Sequence, residues 1–299
     1  MEQLRVLFWG YDETAKSSLT ALLSLSNVQV VGVVVPPNRD ESMIMKIQEI
    51  ARNTDTTVYC PKKLSTDTEF LRTVERLLPD VYIVDSYSML IPKDFLDLPT
   101  IGAFNIHPGR LSAYRGAHVL NWALINGESE ITVTVHCMTE IFDSGDIVLE
   151  KSFKVSFLDT ILTVFDKVSH VNRELVKMLV SSIFNGTLER VPQNEQYAKH
   201  YRVRKPEDGM IDWDMTNIEI YNLIRALVPP WPGAFFCKDG EKIIINEAYP
   251  ISFANNSPPG TVVAKSSNSF CVITGSQCLL VKRASCMDFS FGEMLRDTD

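Results

Sequence analysis

The sequence predicts an α/β protein: a Rossmann-like, mainly parallel sheet with helices on both faces, followed by a small C-terminal β-rich, OB-like domain. Two observations carry this prediction. Over the first two-thirds of the 299 residues, short β-branched apolar runs alternate with segments of helical periodicity, as in parallel strands joined by crossover helices. In the last third, short apolar runs alternate with turn residues, which is typical of an open barrel.

The first part alternates strands and helices along the chain. The opening run, LRVLFWG at 4–10, is almost wholly apolar, as expected of a strand buried on both faces. The other predicted strands are β-branched or aromatic runs at 28–36, 57–60, 81–88, 101–107, 131–138 and 146–155. The predicted helices place apolar residues three and four apart, at 13–25, 42–54, 67–78, 116–127 and 160–186.

The composition changes near residue 188. The stretch RVPQNEQYAKHYRVRKPEDG is polar and charged with little periodicity, which predicts a linker. One helix, NIEIYNLIRALV, and the turn PPWPG then precede a series of short strands. We therefore predict a main domain over 1–190, a linker over 191–210 and a small β-rich domain over 211–299.

Composition narrows the class of protein. Apolar residues make up 45% and charged residues 22%, as in soluble globular domains. No apolar run is long enough to span a membrane, and the N-terminus lacks the pattern of a secretory signal. The six cysteines are scattered without a CxxC pair, so we expect a reducing cytoplasm and no metal site. A net charge of −8 argues against nucleic acid as main partner, although an acidic total can hide a basic patch.

The first strand ends in WGYDETAKSSL. This run contains neither GxGxxG nor GxxxxGK[ST], so a dinucleotide fingerprint and a P-loop are not predicted. The N-terminus of the helix that follows could hold an anion, or the run could be an ordinary strand-to-helix turn.

The richest stretch is NIHPGRLSAYRG at 105–116. Residues i and i+2 of a strand share a face, so Asn105 and His107 project together from the end of the predicted strand. In open α/β sheets ligands bind at the carboxyl ends of the strands. An amide can polarise a carbonyl while an imidazole transfers a proton. A histidine at a strand end can equally be a structural residue satisfied by the backbone.

Two further stretches are candidates for the same edge. The turn EIFDSGDIVLE carries Asp143, whose carboxylate could orient His107 or raise its pKa; an aspartate in such a turn commonly bonds its own backbone instead. The apolar loop at 86–99 could line a pocket for a planar ring, or simply cover the core.

Taken together, the Asn-x-His run, YRG, NWALING and DSG resemble the 10-formyltetrahydrofolate-dependent formyltransferases. The likeness extends over most of the chain, because YAKHYRVRKPEDGMIDW and LIRALVPPWPGAF also resemble the linker and second domain of the tRNA and sugar enzymes of this family. The resemblance implies direct formyl transfer from 10-formyltetrahydrofolate to an amine, without a metal. It assigns the catalytic trio to Asn105, His107 and Asp143. One departure is Gly109-Arg110-Leu111-Ser112, where the family has a Ser-Leu-Leu-Pro-like run.

The resemblance implies that the folate ring is held by the backbone of one loop with Met89, Leu90 and Ile91, and by a turn with Ile141 and Phe142. Tyr11, Arg110, Tyr114 and Arg115 are candidates for contact with the acceptor. Arginine suits phosphate geometry, yet Arg110 could point into solvent, Arg115 could bridge loop carbonyls, and the tyrosines could serve packing.

The acceptor implied is a nucleotide-linked amino sugar, as in O-antigen biosynthesis, because GAHVLNWALING looks closer to the sugar N-formyltransferases. A methionyl-tRNA formyltransferase is the alternative. The loop VVVPPNRDESMIM has one arginine and two acids, whereas phosphate-backbone binding needs several cations, so tRNA is disfavoured. Other small amines, and a non-catalytic folate- or nucleotide-binding protein, stay open. A homodimer is expected by analogy with the sugar enzymes.

Overall fold

The computed structural model describes residues 2–37, 39, 41–253 and 255–296. The chain divides into two compact units. The first comprises the residues up to Gly116 together with Glu130–Lys154 and Phe165–Tyr201. The second comprises Ala117–Ser129, Val155–Val164 and the residues from Arg202 onward.

The predicted helices and strands occur in the predicted order, together with three short elements that the sequence did not predict, at 93–96, 115–116 and 200–201. They are β1 (Leu4–Trp9), α1 (Glu13–Leu23), β2 (Val28–Val34), α2 (Glu41–Arg52), β3 (Val58–Tyr59), α3 (Thr68–Leu77), β4 (Val81–Asp85), α4 (Lys93–Leu96), β5 (Gly102–His107), β6 (Arg115–Gly116), α5 (Val119–Ile125), β7 (Glu130–Cys137), β8 (Ile147–Lys154), α6 (Ile161–Asn185), β9 (His200–Tyr201), α7 (Asn217–Arg225), β10 (Ala234–Lys238), β11 (Glu241–Ile251), β12 (Val262–Lys265), β13 (Phe270–Ile273) and β14 (Cys278–Ala284). The helix predicted over 116–127 begins only at Val119, because Gly116 belongs to β6.

The main sheet confirms the predicted α/β class. Within the described residues it has seven strands in the order β3-β2-β1-β4-β5-β7-β8. The strands from β3 to β5 are parallel, and β7 and β8 are antiparallel additions beside β5. Asn105 in β5 stands between Val84 of β4 and His136 of β7. Residues paired across neighbouring strands point to the same face, so His136 accompanies Asn105.

Helix α1 is closed at its N-terminus by its own cap. The Asp12 carboxylate accepts a hydrogen bond from the Ala15 N–H at 3.0 Å. An aspartate in this position satisfies one of the free N–H groups and opposes the positive end of the helix dipole. The Asp12 carboxylate therefore occupies the position at this helix N-terminus where an anion could bind. Of the two alternatives, an ordinary strand-to-helix turn fits the structure better than an anion site.

A buried carboxyl group ends β4. Asp85 is 1% exposed and accepts hydrogen bonds from the Ser18 hydroxyl at 2.6 Å and from the Asn172 Nδ2 at 2.8 Å. The Thr14 hydroxyl lies 3.1 Å from its other oxygen. Burial, followed by the charge of Asp12, raises the pKa of Asp85 to about 7. The group therefore titrates near neutral pH at the start of the loop that follows β4.

The second unit contains the predicted β-rich part. Among its described residues, five strands form an antiparallel sheet in the order β10-β11-β14-β13-β12. Helix α7 begins in a capping box in which Thr216 and Glu219 bond each other's backbone N–H. Across the described part of the chain, no helix is both long and apolar enough to cross a membrane.

Part of the predicted linker is bound to the first unit. Val191 and Ile147 exchange two backbone hydrogen bonds of 2.8 Å, and β9 pairs in parallel with β6. The Ser112 hydroxyl donates to the Asn194 carbonyl at 2.5 Å. Residues 191–201 are thus built into the unit that carries β5, and the polar composition of this stretch reflects its hydrogen bonds rather than a free connection.

Candidate active site

The site forms where β5 ends. Asn105 is half-buried and His107 is 5% exposed, and both sit on the same face of the strand. The alternating pleat of β5 produces this arrangement. His107 Nε2 lies 2.6 Å from the Tyr114 carbonyl oxygen. A carbonyl only accepts hydrogen bonds, so the neutral imidazole carries its hydrogen on Nε2.

Asp143 reaches His107 from the turn between β7 and β8. Its Oδ1 lies 3.5 Å from His107 Nδ1, and its Oδ2 accepts the Gly116 N–H at 2.8 Å. Asp143 has a φ of 54°, a left-handed conformation that aspartate tolerates better than most residues. The structure thus places the predicted aspartate against the predicted histidine.

His136 links Asn105 to Asp143, and the sequence reasoning missed it. Its Nε2 lies 3.1 Å from Asn105 Nδ2 and 3.6 Å from Asp143 Oδ1, while its Nδ1 lies 2.8 Å from the Cys137 carbonyl. With a hydrogen on Nδ1, the ring donates to the Cys137 carbonyl and its Nε2 accepts from the Asn105 amide. The signal was available, because ITVTVHCM alternates and puts Thr134 and His136 on one polar face.

Burial and charge set the protonation of the pair. Burial lowers the pKa of His107 below its usual value, against the opposing effect of the Asp143 carboxylate. Burial would raise the pKa of Asp143, but the imidazoles of His107 and His136 and the Gly116 N–H together hold that pKa well below its usual range. Near neutral pH the site therefore holds an ionised Asp143 beside a neutral His107.

Exposed apolar side chains flank this centre. Leu90 is 47% exposed on the loop after β4, and Ile141 and Phe142 are 67% and 53% exposed on the turn that carries Asp143. Met89 and Met138, from the same two loops, pack against one buried cluster. Exposed apolar side chains can mark a ligand surface; the contact of these residues with a folate ring stays a prediction.

Ile91 is 1% exposed and belongs to the buried cluster, so its side chain packs into the core. The folate contact expected of its backbone stays a prediction.

The four predicted acceptor contacts have different surroundings. Tyr11 is half-buried, and the Arg39 guanidinium carbon lies 5.7 Å from the centre of the Tyr11 ring. Arg110 is exposed. Tyr114 stacks on Tyr201 with ring centres 4.9 Å apart and an interplanar angle of 7°. Arg115 is 3% exposed and turns inward; its contact with an acceptor stays a prediction.

Arg115 is held by internal partners. Its guanidinium donates to Gln193 Oε1 at 3.0 and 2.6 Å and pairs with the Glu195 carboxylate at 3.0 and 2.6 Å.

Among the residues that the structure describes, no group of three or more His, Cys, Asp or Glu side chains could hold a metal ion.

Comparison with known proteins identifies the family. Residues 5–180 match the family described as formyl transferase, and residues 204–288 match the formyl transferase C-terminal domain. The chain belongs to the formyl transferase family. The enzyme class and the resemblance inferred from the sequence motifs are thereby confirmed.

Two relatives of this formyl transferase bear the name methionyl-tRNA formyltransferase. That of Desulfotalea psychrophila (strain LSv54 / DSM 12343) is 34% identical over 286 residues, covering 94% of this chain and 88% of the relative. That of Caldanaerobacter subterraneus subsp. tengcongensis is 32% identical over 283 residues, covering 93% and 91%.

Among solved structures, the N-formyltransferase from Helicobacter canadensis in complex with folinic acid and dTDP-3-aminofucose superposes with a TM-score of 0.70. It is 18% identical, and the match covers 94% of this chain and all of that one. At this identity the likeness establishes a shared fold.

Proposed function

We propose that this formyl transferase moves a formyl group from 10-formyltetrahydrofolate to the amine of a nucleotide-linked amino sugar. The observation that carries the proposal is the cluster of Asn105, His107 and Asp143 at the end of β5, with His107 Nδ1 3.5 Å from the Asp143 carboxylate. This cluster supplies hydrogen-bond donors and a proton acceptor side by side, which is what acyl transfer to an amine requires.

The donor supplies a formyl carbon bonded to N10 of the folate; attack by the amine forms a new C–N bond and breaks that one. Asn105 Nδ2 carries two hydrogens: one is directed at His136 Nε2, and the other suits the negative charge that develops on the formyl oxygen. The His107 Nε2–H is donated to the Tyr114 carbonyl in the free protein, so it becomes a donor to the formyl oxygen only when that hydrogen bond opens.

The proton lost by the amine needs an acceptor. His107 Nδ1 is the unprotonated nitrogen of the neutral ring and faces Asp143. A proton received there, directly or through water, makes an imidazolium paired with the carboxylate, and the same proton can return to the leaving N10. Asp143 therefore stabilises the charged form of the ring, because its carboxylate then accepts a hydrogen bond from the new Nδ1–H, and no net proton is consumed.

The charge on one loop supports a small acceptor. The loop between β2 and α2 has a single arginine. That residue, Arg39, donates to the Ser88 hydroxyl at 2.5 Å and lies over the Tyr11 ring. Its guanidinium is thus already engaged by two neighbours within the first unit. Phosphate-backbone binding needs several available cations, whereas a nucleotide-linked sugar needs few.

Methionyl-tRNA is the second candidate acceptor, because two relatives with that named activity are 34% and 32% identical over almost the whole chain. The segment 199–205 also carries four lysines and arginines. The homodimer and the cytoplasmic location expected from the sequence stay predictions.

The acceptor is tested by offering both classes together. The protein is incubated with 10-formyltetrahydrofolate, a panel of amino-sugar nucleotides, and tRNA charged with methionine, and products are weighed by mass spectrometry. A mass gain of one formyl group on a sugar nucleotide supports the proposal. Formylation of the tRNA alone overturns the acceptor assignment while leaving formyl transfer intact. Binding of folinic acid without transfer to any acceptor would indicate a non-catalytic folate-binding protein.

A further inference from the structure

Gln193 reaches the catalytic turn from outside the elements that form it. It follows Val191, which pairs with Ile147 at the beginning of β8. The Gln193 Nε2 donates to the Asp143 carbonyl at 2.9 Å and to the Gly145 carbonyl at 2.7 Å. Residues on both sides of Ser144 are therefore bound by a single side-chain amide.

The orientation of that amide is decided by its partners. Its Oε1 faces the guanidinium of Arg115, which only donates, and its Nε2 faces two carbonyls, which only accept. Both hydrogens and both acceptor positions of the amide are thus occupied. Glutamate in this place would keep the contact with Arg115 but could give the two carbonyls no hydrogen bond.

Arg115 connects this amide to the rest of the site. Its guanidinium is buried and also pairs with the Glu195 carboxylate, whose pKa it lowers through hydrogen bonding and charge. The next residue, Gly116, donates its N–H to Asp143 Oδ2. Consecutive residues of β6 thereby hold the turn twice: Gly116 binds the Asp143 side chain, and Arg115 orients the amide that binds its backbone.

The turn requires such support. A non-glycine residue with a φ of 54° is held in a sparsely populated conformation, which persists only where the surrounding structure imposes it. The Asp143 carboxylate must also stay within reach of His107 Nδ1, now 3.5 Å away. A misplacement of about 1 Å at a catalytic centre can lower a rate about 100-fold.

We propose that Gln193, oriented by Arg115, is a positioning residue that holds Asp143 against His107. Arg115 then acts through Gln193 rather than by touching the acceptor. The consequence for turnover rests on the proposed formyl transfer; the consequence for the His107–Asp143 contact does not.

The test uses two substitutions at one position. Gln193→Met removes all four hydrogen bonds at nearly constant size, and Gln193→Glu keeps an acceptor for Arg115 while removing the two donors to the turn. Gln196→Met and Gln196→Glu are the matched controls, because Gln196 is an exposed glutamine in the same segment. Circular dichroism checks that each variant is folded.

Two measurements are made on the full chain. The first is an NMR titration of the His107 ring, which needs no substrate. In Gln193→Met the carboxylate moves away, so we expect the pKa of His107 to fall further below that of the wild type. The second is the rate of formyl transfer, where we expect kcat to fall about 10- to 100-fold in both Gln193 variants, with KM for the donor changed less than about threefold. The Gln196 variants should match the wild type in both.

A lower His107 pKa together with a lower kcat supports the proposal. An unchanged His107 titration in a folded Gln193→Met protein overturns it, whatever happens to kcat, because the effect would not pass through Asp143. An unchanged kcat in both Gln193 variants also overturns it. If the wild type transfers no formyl group, the proposed function fails, and the NMR titration alone decides whether Gln193 positions Asp143.

Discussion

Replacing Asp85 by asparagine should change how the stability of the protein depends on pH. Asp85 is fully enclosed between β4, α1 and α6 and binds only neutral donors, of which Ser18 and Asn172 are the shortest. Asparagine at position 85 keeps nearly the same side-chain shape and has no ionisable proton, so a comparison of the two proteins across pH isolates the titration of Asp85.

The magnitude follows from the pKa. The carboxyl titrates at 3.8 in its ordinary state, and burial raises the pKa of Asp85 to about 7 in the folded protein. The folded state therefore holds the proton more tightly than the unfolded state. The stability contributed by the neutral acid is complete below pH 3.8 and is lost as the pH rises to about 7, for a total of about 4 kcal/mol.

Urea denaturation of the wild type and of Asp85→Asn across this range measures the effect. The difference in free energy of unfolding should move in favour of the variant by about 3 kcal/mol between about pH 4.5 and about pH 8. Asp55→Asn, at an exposed position, is the control and should follow the wild type. Parallel pH profiles for the wild type and Asp85→Asn would refute the assignment of a neutral buried acid.

Three further predictions concern the site itself. Gly116→Ala should lower the free energy of unfolding by about 2 kcal/mol or more, because φ is +99° and the new Cβ would strike the Tyr201 carbonyl. The control Gly186→Ala, where φ is +65° and the Cβ would meet open space, should lower it by about 1 kcal/mol. Equal losses for the two variants in urea denaturation would contradict the prediction. Gly109→Ala should lower kcat about tenfold in a rate assay, because its Cβ would lie 2.8 Å from His107 Nε2 and 2.7 Å from the Tyr114 carbonyl and would disturb the hydrogen bond between them. A kcat equal to that of the wild type would show that this hydrogen bond is dispensable. The acid limb of the kcat/KM profile should lie below pH 6.5, because burial lowers the pKa of His107, and Asp143→Asn should move it lower still by removing the charge that raises that pKa; an acid limb above 6.5 would be inconsistent with a neutral His107 base.

Local rules predicted the part of the site that lies on one strand. The two-residue period of β5 is enough to put Asn105 and His107 on one face, and the carboxyl-end rule is enough to place them at a ligand edge. Asp143 needed the family resemblance, since a carboxylate in a tight turn has no single destination. The alternation in β7 could have placed His136 on the polar face of that strand. Its position beside Asn105, however, depends on the register between β7 and β5, which no local pattern specifies.

The long-range polar contacts could not be predicted from local patterns. Gln193 bonds Asp143 across 50 residues and Arg115 across 78. Its segment is polar because it is hydrogen-bonded to the first unit, and polarity alone is also what a solvated linker shows. The burial of Asp85 could not be predicted either. It ends an apolar strand, where an aspartate is commonly exposed, and only the packing of α1 and α6 against that strand encloses its carboxyl group.

The central claim is that Asn105, His107 and Asp143 transfer a formyl group without being needed to bind its donor. The most direct measurement is single-turnover transfer from 10-formyltetrahydrofolate to the acceptor identified by mass spectrometry, made for the wild type and for Asn105→Ala, His107→Ala and Asp143→Ala, with folinic acid binding measured in parallel. We predict that each substitution slows transfer about 100-fold or more while the Kd for folinic acid changes less than about threefold. A folded His107→Ala protein that transfers the formyl group at the wild-type rate would contradict the account.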